Sequence, residues 1–225
     1  LRCVFCQNAQ SSFENRGEDF TADELYDAVL RLADEGVDNI DFITAGHYAA
    51  RLFPVLERLK KRVTVPFIYN SGGYENVNVI RALDGLIDVY LPDFKYASPE
   101  LADKMSGAAD YPSVATAAID EMCRQRGEYR EENGLAKSGV IIRHLVLPGH
   151  RDDSKAALRI IAERWRTAKV SVMRQYTPEF NRSPYPELNR RITSFEYDDV
   201  VKEAIRLGLD GFIQEKGCET ADFTP

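Results

Sequence analysis

Cys3 and Cys6 stand three positions apart in the run Leu1-Arg2-Cys3-Val4-Phe5-Cys6-Gln7-Asn8, close enough for two thiolates to face one point. Cys-x-x-Cys serves a dithiol redox pair, half of a zinc site or part of an iron–sulfur site. A zinc site needs two further ligands, yet Cys123 falls in an expected helix and Cys218 near the end of the sequence, each alone. Both read as ordinary thiols. A redox pair of the thioredoxin kind opens a helix directly after a strand, whereas the polar stretch 7–20 separates Cys6 from the first helical pattern.

Arg143 interrupts an otherwise apolar run of Val140, Ile141, Ile142, Leu145, Val146 and Leu147. A guanidinium buried there without an anion would be costly, so it should meet a carboxylate, of a ligand or of the protein itself. Strand alternation sets it opposite His144, which then packs toward the helices. Asp93 and Lys95 share a face in extended backbone, where they could bridge a hydroxyl and a carboxylate of one ligand or simply end a strand as a solvated charge pair. His47 and His150 each open a loop, a setting in which lone histidines are more often structural than metal-binding.

Alternating strand and helix patterns must position these groups. Helical spacing predicts helices over 22–35, with a Thr21/Glu24 capping box and Gly36 as stop, and over 48–61, 77–83, 113–126 and 153–167. Ser98-Pro99 opens another, and the Thr193/Glu196 box opens a last one ending near Gly208. Short strands are expected at 40–44, 65–69, 87–91, 140–147, 170–173 and 211–214, apolar throughout as in a parallel sheet covered on both faces. The polar candidates all follow these strands: His47, Asn70 with Ser71, Asp93 with Lys95, Gly149 with His150, Gln175 with Tyr176, and Glu215. The expected fold is therefore α/β, a partial (β/α) TIM-like barrel with its site at the C-terminal rim; an open doubly wound sheet is the other parallel arrangement. The charged stretch 128–138 is expected to be a solvated loop. The proline-bearing stretch 177–191 is expected to be either a lid or partner-facing loop, or a plain surface excursion.

With 225 residues, the chain has the size at which an α/β barrel stands alone, so 1–225 is expected to form one core domain. Asp plus Glu at 36 against Lys plus Arg at 29 gives a net charge of −7, which disfavours a nucleic-acid partner. No apolar run nears the ~20 residues of a membrane helix, and no basic-then-apolar leader opens the sequence, so a soluble, cytoplasmic protein is expected. The sequence begins at Leu1, two residues before Cys3, and is expected to be a fragment that lacks its first strand.

The run from Leu1 to Asn8 resembles the tail of the radical S-adenosylmethionine (SAM) signature, Cys-x-x-x-Cys-x-aromatic-Cys, whose first cysteine would lie two positions before Leu1. Asp93-Phe94-Lys95 and Arg143-His144-Leu145-Val146-Leu147-Pro148-Gly149 resemble the pyruvate formate-lyase activating enzymes of that superfamily. Tyr69-Asn70-Ser71-Gly72-Gly73-Tyr74, Leu91-Pro92-Asp93-Phe94-Lys95-Tyr96 and Gln175-Tyr176-Thr177-Pro178 look most like a less characterised branch of the group.

This resemblance implies a [4Fe-4S] cluster held by three thiolates, Cys3 and Cys6 among them, with one iron left open for the amino and carboxylate groups of SAM. An electron from the reduced cluster then splits the sulfonium and releases a 5′-deoxyadenosyl radical. Phe5 would offer an apolar surface near the adenine. Asn70, Ser71, Asp93 and Lys95 match rim positions that contact SAM, and Arg143 and Tyr176 fall in the cofactor-binding set. The family also implies a glycyl-radical protein as substrate and an electron donor such as flavodoxin or ferredoxin. One departure stands out: most members carry Gly-Gly-Glu after the second family strand, where the acid meets the SAM amino group, but here that rim reads Thr44-Ala45-Gly46-His47. The acid of Gly72-Gly73-Tyr74-Glu75 follows a different strand and is not taken as its equivalent, so carbonyls around Thr44, Ala45 and Gly46 are expected to receive the amine. Two thiolates alone would hold a cluster poorly, so the sequence as given is expected to be inactive. Two other readings remain: a degenerate SAM- or partner-binding barrel without turnover, and a barrel aldolase using Lys95 as a Schiff-base amine.

Overall fold

The computed structural model describes residues 1–8, 17–215 and 217; Cys218 lies outside them. Six strands run parallel: β1 (Ile40–Ile43), β2 (Phe67–Ser71), β3 (Val89–Pro92), β5 (Leu135–Leu145), β6 (Lys169–Met173) and β7 (Gly211–Ile213). They lie side by side in chain order, while β4 (Arg130–Glu132) pairs antiparallel with the start of β5. β1 and β7 are not paired with each other, so the sheet is an open, partial barrel.

The helices between the strands start where their caps place them. Thr21 and Glu24 form a capping box at α1 (Ala22–Asp34), and Thr193 and Glu196 form another at α7 (Ser194–Arg206). Between them lie α2 (Ala49–Leu59), α3 (Val77–Ala82) with Asn76 as cap, α4 (Pro99–Ser106) capped by Ser98, α5 (Tyr111–Arg126) and α6 (Arg151–Arg164). Strand alternation then sorts the side chains. Phe42, Phe67, Tyr69, Tyr90, Ile142, His144 and Val172 are buried on one face, with Phe42 edge-on to Phe67 and Tyr69 edge-on to Tyr90. Each such aromatic or aliphatic side chain contributes on the order of 2 kcal/mol on burial. The opposite, concave face carries Asp41, Ile43, Asn70, Leu91, Arg143 and Ser171, brought level by the registers Ile43↔Asn70, Asn70↔Leu91 and Arg143↔Ser171.

Most bounds move by a few residues, with β3 starting at Val89 and β5 at Leu135, and two differences have a clear local cause. The strand expected over 65–69 forms two residues later, because Pro66 has no N–H to donate; its carbonyl accepts from Ile40, and the first available donor, Phe67 N–H, goes to Asp88. Asn70 and Ser71 therefore end β2 rather than follow it. The expected loop over 128–138 is instead the β4–β5 hairpin. Asn133 at φ 53° and Gly134 at φ 77° make a two-residue turn of the primed type, which matches strand twist and outweighs the local charge. Stretch 177–191 holds two 3-10 turns, Pro178–Phe180 and Pro186–Asn189. Among the described residues no helix is long and apolar enough to cross a membrane.

Candidate functional site

The cysteine motif is fixed from both sides by backbone hydrogen bonds. The C-terminal carbonyls of α4 receive it, Met105 O from Val4 N at 2.9 Å and Ser106 O from Arg2 N at 3.2 Å. Arg182 N donates to Val4 O from the 177–191 stretch at 2.8 Å, and Cys6 N donates to Cys3 O at 3.2 Å, closing a turn with both thiols half-buried. Ser106 Oγ donates to Cys3 Sγ at 3.0 Å. Phe5 is buried edge-on against Tyr176, with ring centres 6.0 Å apart, and the Tyr176 hydroxyl is committed to Leu188 O at 2.8 Å. Gln7 Nε2 reaches Gln175 O at 2.8 Å. The motif thus spans the rim from α4 to the end of β6.

Beside it runs a continuous polar chain on the concave face. Asn70 Nδ2 donates to Asp41 Oδ2 at 3.1 Å, and an Arg143 Nη donates to Asn70 Oδ1 at 2.6 Å. Arg143 Nε lies 2.8 Å from Asp93 Oδ1, and Lys95 Nζ lies 2.5 Å from Asp93 Oδ2. The carboxylate that Arg143 needs is the protein's own. That ion pair is nevertheless badly aligned: Arg143 Nε and Asp93 Oδ1 are both buried without a hydrogen bond, so each retains capacity for a ligand atom. Burial works against the Lys95 ammonium, yet Asp93 and Cys3 outweigh it and hold the pKa above the ordinary lysine value. A lysine kept charged is a poor nucleophile, which counts against the Schiff-base reading.

Tyr111 ties the two strand ends together. Its hydroxyl lies 3.0 Å from Gly72 O and 2.9 Å from Asp93 O, to which it donates, and accepts from Lys95 N at 2.9 Å. The loops run so close that a Cβ on Gly73, at φ 78°, would stand 2.1 Å from Asp93 O. Ser71 Oγ accepts from Gly73 N within the same turn, at 3.2 Å.

At the end of β1, Thr44 takes a left-handed conformation (φ 55°) and starts a 3-10 turn, Ala45–Tyr48. A Cβ on Gly46 would lie 2.5 Å from Glu75 Oε2 and 3.1 Å from the Tyr69 hydroxyl. Glu75 therefore brings a carboxylate to the rim that lacks one in sequence. Its partner is the Tyr69 hydroxyl, donating at 3.3 Å, and no Lys or Arg side chain is paired with it among the described residues. Burial raises its pKa above the ordinary glutamate value, against the Tyr69 hydrogen bond and the His47 charge. Ser106, Tyr111 and Asp41 were not singled out by sequence for ligand contact, because each depends on a partner distant along the chain, whereas Glu75 was set aside because it follows a different strand.

The histidines do not converge. His144 is buried, opposite Arg143 as expected, with Nδ1 2.7 Å from Phe94 O. His47 lies near Thr44 O, whereas His150 faces Glu187 at 3.4 Å. Burial pushes the Cys123 thiol up to about 12. Among the described residues no group of three or more His, Cys, Asp or Glu is placed to hold a metal ion.

No family model matches the chain. It is 30% identical over 219 residues to the uncharacterized protein MJ0674 of Methanocaldococcus jannaschii, an alignment covering 93% of this chain and 60% of that relative. The chain thus spans 60% of that protein's length. Among solved structures, a domain of pyruvate-formate lyase-activating enzyme from Bacteroides vulgatus superposes with a TM-score of 0.57 at 10% identity, covering 79% of this chain and 98% of that one. HydG, a maturase of the [FeFe]-hydrogenase, gives 0.60 at 16% identity over 96% of this chain and 50% of its own. Methylornithine synthase (PylB) gives 0.54 at 15% identity over 99% and 72%. At these identities the likeness establishes architecture alone, and the chain shares with these structures an open, partial (β/α) barrel.

Proposed function

We propose that this chain is the core of a radical SAM iron–sulfur enzyme that resembles the activators of glycyl-radical enzymes. Cys3 and Cys6, with a third thiolate, would hold a [4Fe-4S] cluster, and SAM would lie across the ends of β1, β2, β3 and β5. Together the cluster and SAM supply a one-electron cleavage of the sulfonium, yielding a 5′-deoxyadenosyl radical that takes a hydrogen atom from the substrate.

The observation that carries this reading is the proximity of the Cys3–Cys6 turn to a rim with unspent polar capacity. Gly72 is the meeting point: a Cβ there would touch both Leu1 and Lys95. The residues fit SAM chemically. Arg143 and Lys95 offer cations to a carboxylate, the free valence of Asp93 Oδ1 suits a ribose hydroxyl, and Asn70 orients Arg143. Glu75, with no Lys or Arg beside it, suits the ammonium group and takes the part first assigned to the carbonyls of Thr44, Ala45 and Gly46. An acid in that place removes the main motive for a binding-only barrel. Tyr176 and Phe5 close the side toward 177–191 and exclude water from it. The substrate would be a glycine of a protein partner, the electron source a flavodoxin or ferredoxin, and the location cytoplasmic.

The test is turnover. Full-length protein, loaded anaerobically with iron and sulfide and reduced in the presence of SAM, should release 5′-deoxyadenosine. SAM bound but never cleaved would favour the degenerate barrel instead.

A further inference from the structure

Ser106 ends α4 with its side chain 2% exposed, and its hydroxyl has a single hydrogen, which goes to Cys3 Sγ at 3.0 Å. The oxygen of that hydroxyl lies 2.7 Å from the hydroxyl of Tyr96, a residue with no exposure at all. With Ser106 committed to sulfur, Tyr96 is left as the donor, and a one-way chain runs from Tyr96 through Ser106 to Cys3. Ala102 and Met105 of the same helix are fully buried, while Lys95 and Asp93 lie near enough to act electrostatically on Cys3 and Tyr96. An Ala and Phe pair would fill this place without burying two hydroxyls, so the polar pair has its use at the sulfur. The same helix end aims carbonyls at the motif, Met105 O and Ser106 O, a negative dipole end that disfavours added electrons. The Ser106 hydroxyl is the opposing donor from that turn.

We propose that Ser106, polarised by Tyr96, sets the reduction potential of the cluster through its hydrogen bond to Cys3; this rests on reading Cys3 as a cluster ligand. Reduction adds one electron from an external donor and moves no proton, since the hydrogen stays on Ser106 Oγ. Part of the added charge falls on the cysteine sulfurs, where an O–H donor stabilises the reduced form more than the oxidised one. Ser106 is in this sense a positioning and tuning residue.

The experiment is a dye-mediated redox titration of the anaerobically loaded full-length protein, followed by visible absorption. Ser106→Ala should lower the equilibrium constant for reduction about tenfold, which is ~59 mV for one electron. Ser106→Thr, which keeps the hydroxyl, should restore the wild-type potential. Tyr96→Phe should lower the same equilibrium constant about threefold, because the sulfur keeps its donor but loses the polarising partner. A Ser106→Ala protein with full iron content and unchanged potential overturns the proposal, as does a shift that Ser106→Thr fails to reverse. If Ser106→Ala does not fold, Tyr96→Phe decides alone: a downward shift supports the relay and no shift refutes it. A wild-type protein that takes up no cluster refutes instead the reading on which this one rests.

Discussion

Glu75 and Gly46 leave the ends of different strands, yet Glu75 Oε2 stands 2.5 Å from where a Cβ on Gly46 would be. The carboxylate fills a notch that only glycine leaves open, so the two positions form one unit of the rim.

Gly46→Ala should therefore displace Glu75, and Glu75→Gln should remove its charge. Both are expected to weaken SAM binding about tenfold, the value of one charge-assisted hydrogen bond. 5′-Methylthioadenosine, which lacks the amino acid moiety, should bind the variants as it binds wild type. Because burial raises the Glu75 pKa, wild-type SAM affinity should climb as pH rises through that value, whereas Glu75→Gln should show no such climb. Equilibrium binding across pH measures both.

Arg143→Met takes one of the two cations from Asp93, which keeps Lys95, and removes the donor to Asn70 Oδ1. Removing one partner of a buried pair costs several kcal/mol, but this guanidinium is 23% exposed, so a loss of about 2 kcal/mol in urea denaturation is expected. Pairing the change with Asp93→Asn should deepen the loss rather than relieve it, since the buried Lys95 ammonium would then lose its carboxylate.

Tyr111→Phe removes a hydroxyl that accepts from Lys95 N and reaches two backbone carbonyls at the ends of β2 and β3. Stability should fall by about 2 kcal/mol, the penalty for leaving buried backbone groups unmet. SAM affinity should fall as well, because Asp93 and Lys95 lose their anchor. Thermal unfolding and binding read the two effects separately.

Acid should loosen the loops after β5 and β6. Arg190, Thr193 and Gly149 N–H hold Glu196 well below the ordinary glutamate value of 4.5. A depressed folded-state pKa stabilises above 4.5 and is lost as pH falls below it. Glu196→Gln should cost about 2 kcal/mol near neutrality, and the gap to wild type should narrow in urea titrations below pH ~4.

Much of the frame was legible because its signals are local. The Thr21/Glu24 and Thr193/Glu196 boxes mark helix starts within one turn, and strand alternation alone sets Arg143 opposite His144. The need for a carboxylate at Arg143 was also legible from its apolar run, although not that Asp93 would provide it. What escaped depends on tertiary contact. Glu75 was in view but set aside, since only the tertiary fold brings it beside Gly46, and nothing near Cys3 announces Ser106, more than a hundred residues away. The β4–β5 hairpin is a different case: Asn133-Gly134 is a local turn signal, masked by the charges around it. Phe5 and Tyr176, both expected at the ligand, are also packed edge-on against each other, a contact that no local pattern announces.

The most direct test of the central claim is electron paramagnetic resonance on the reduced, anaerobically loaded full-length protein, recorded with and without SAM. Cluster ligation by Cys3 and Cys6 beside a SAM-binding rim predicts an iron–sulfur signal that changes shape when SAM is added and is lost in Cys3→Ala and Cys6→Ala. A signal indifferent to SAM, or one that survives both substitutions, would contradict it.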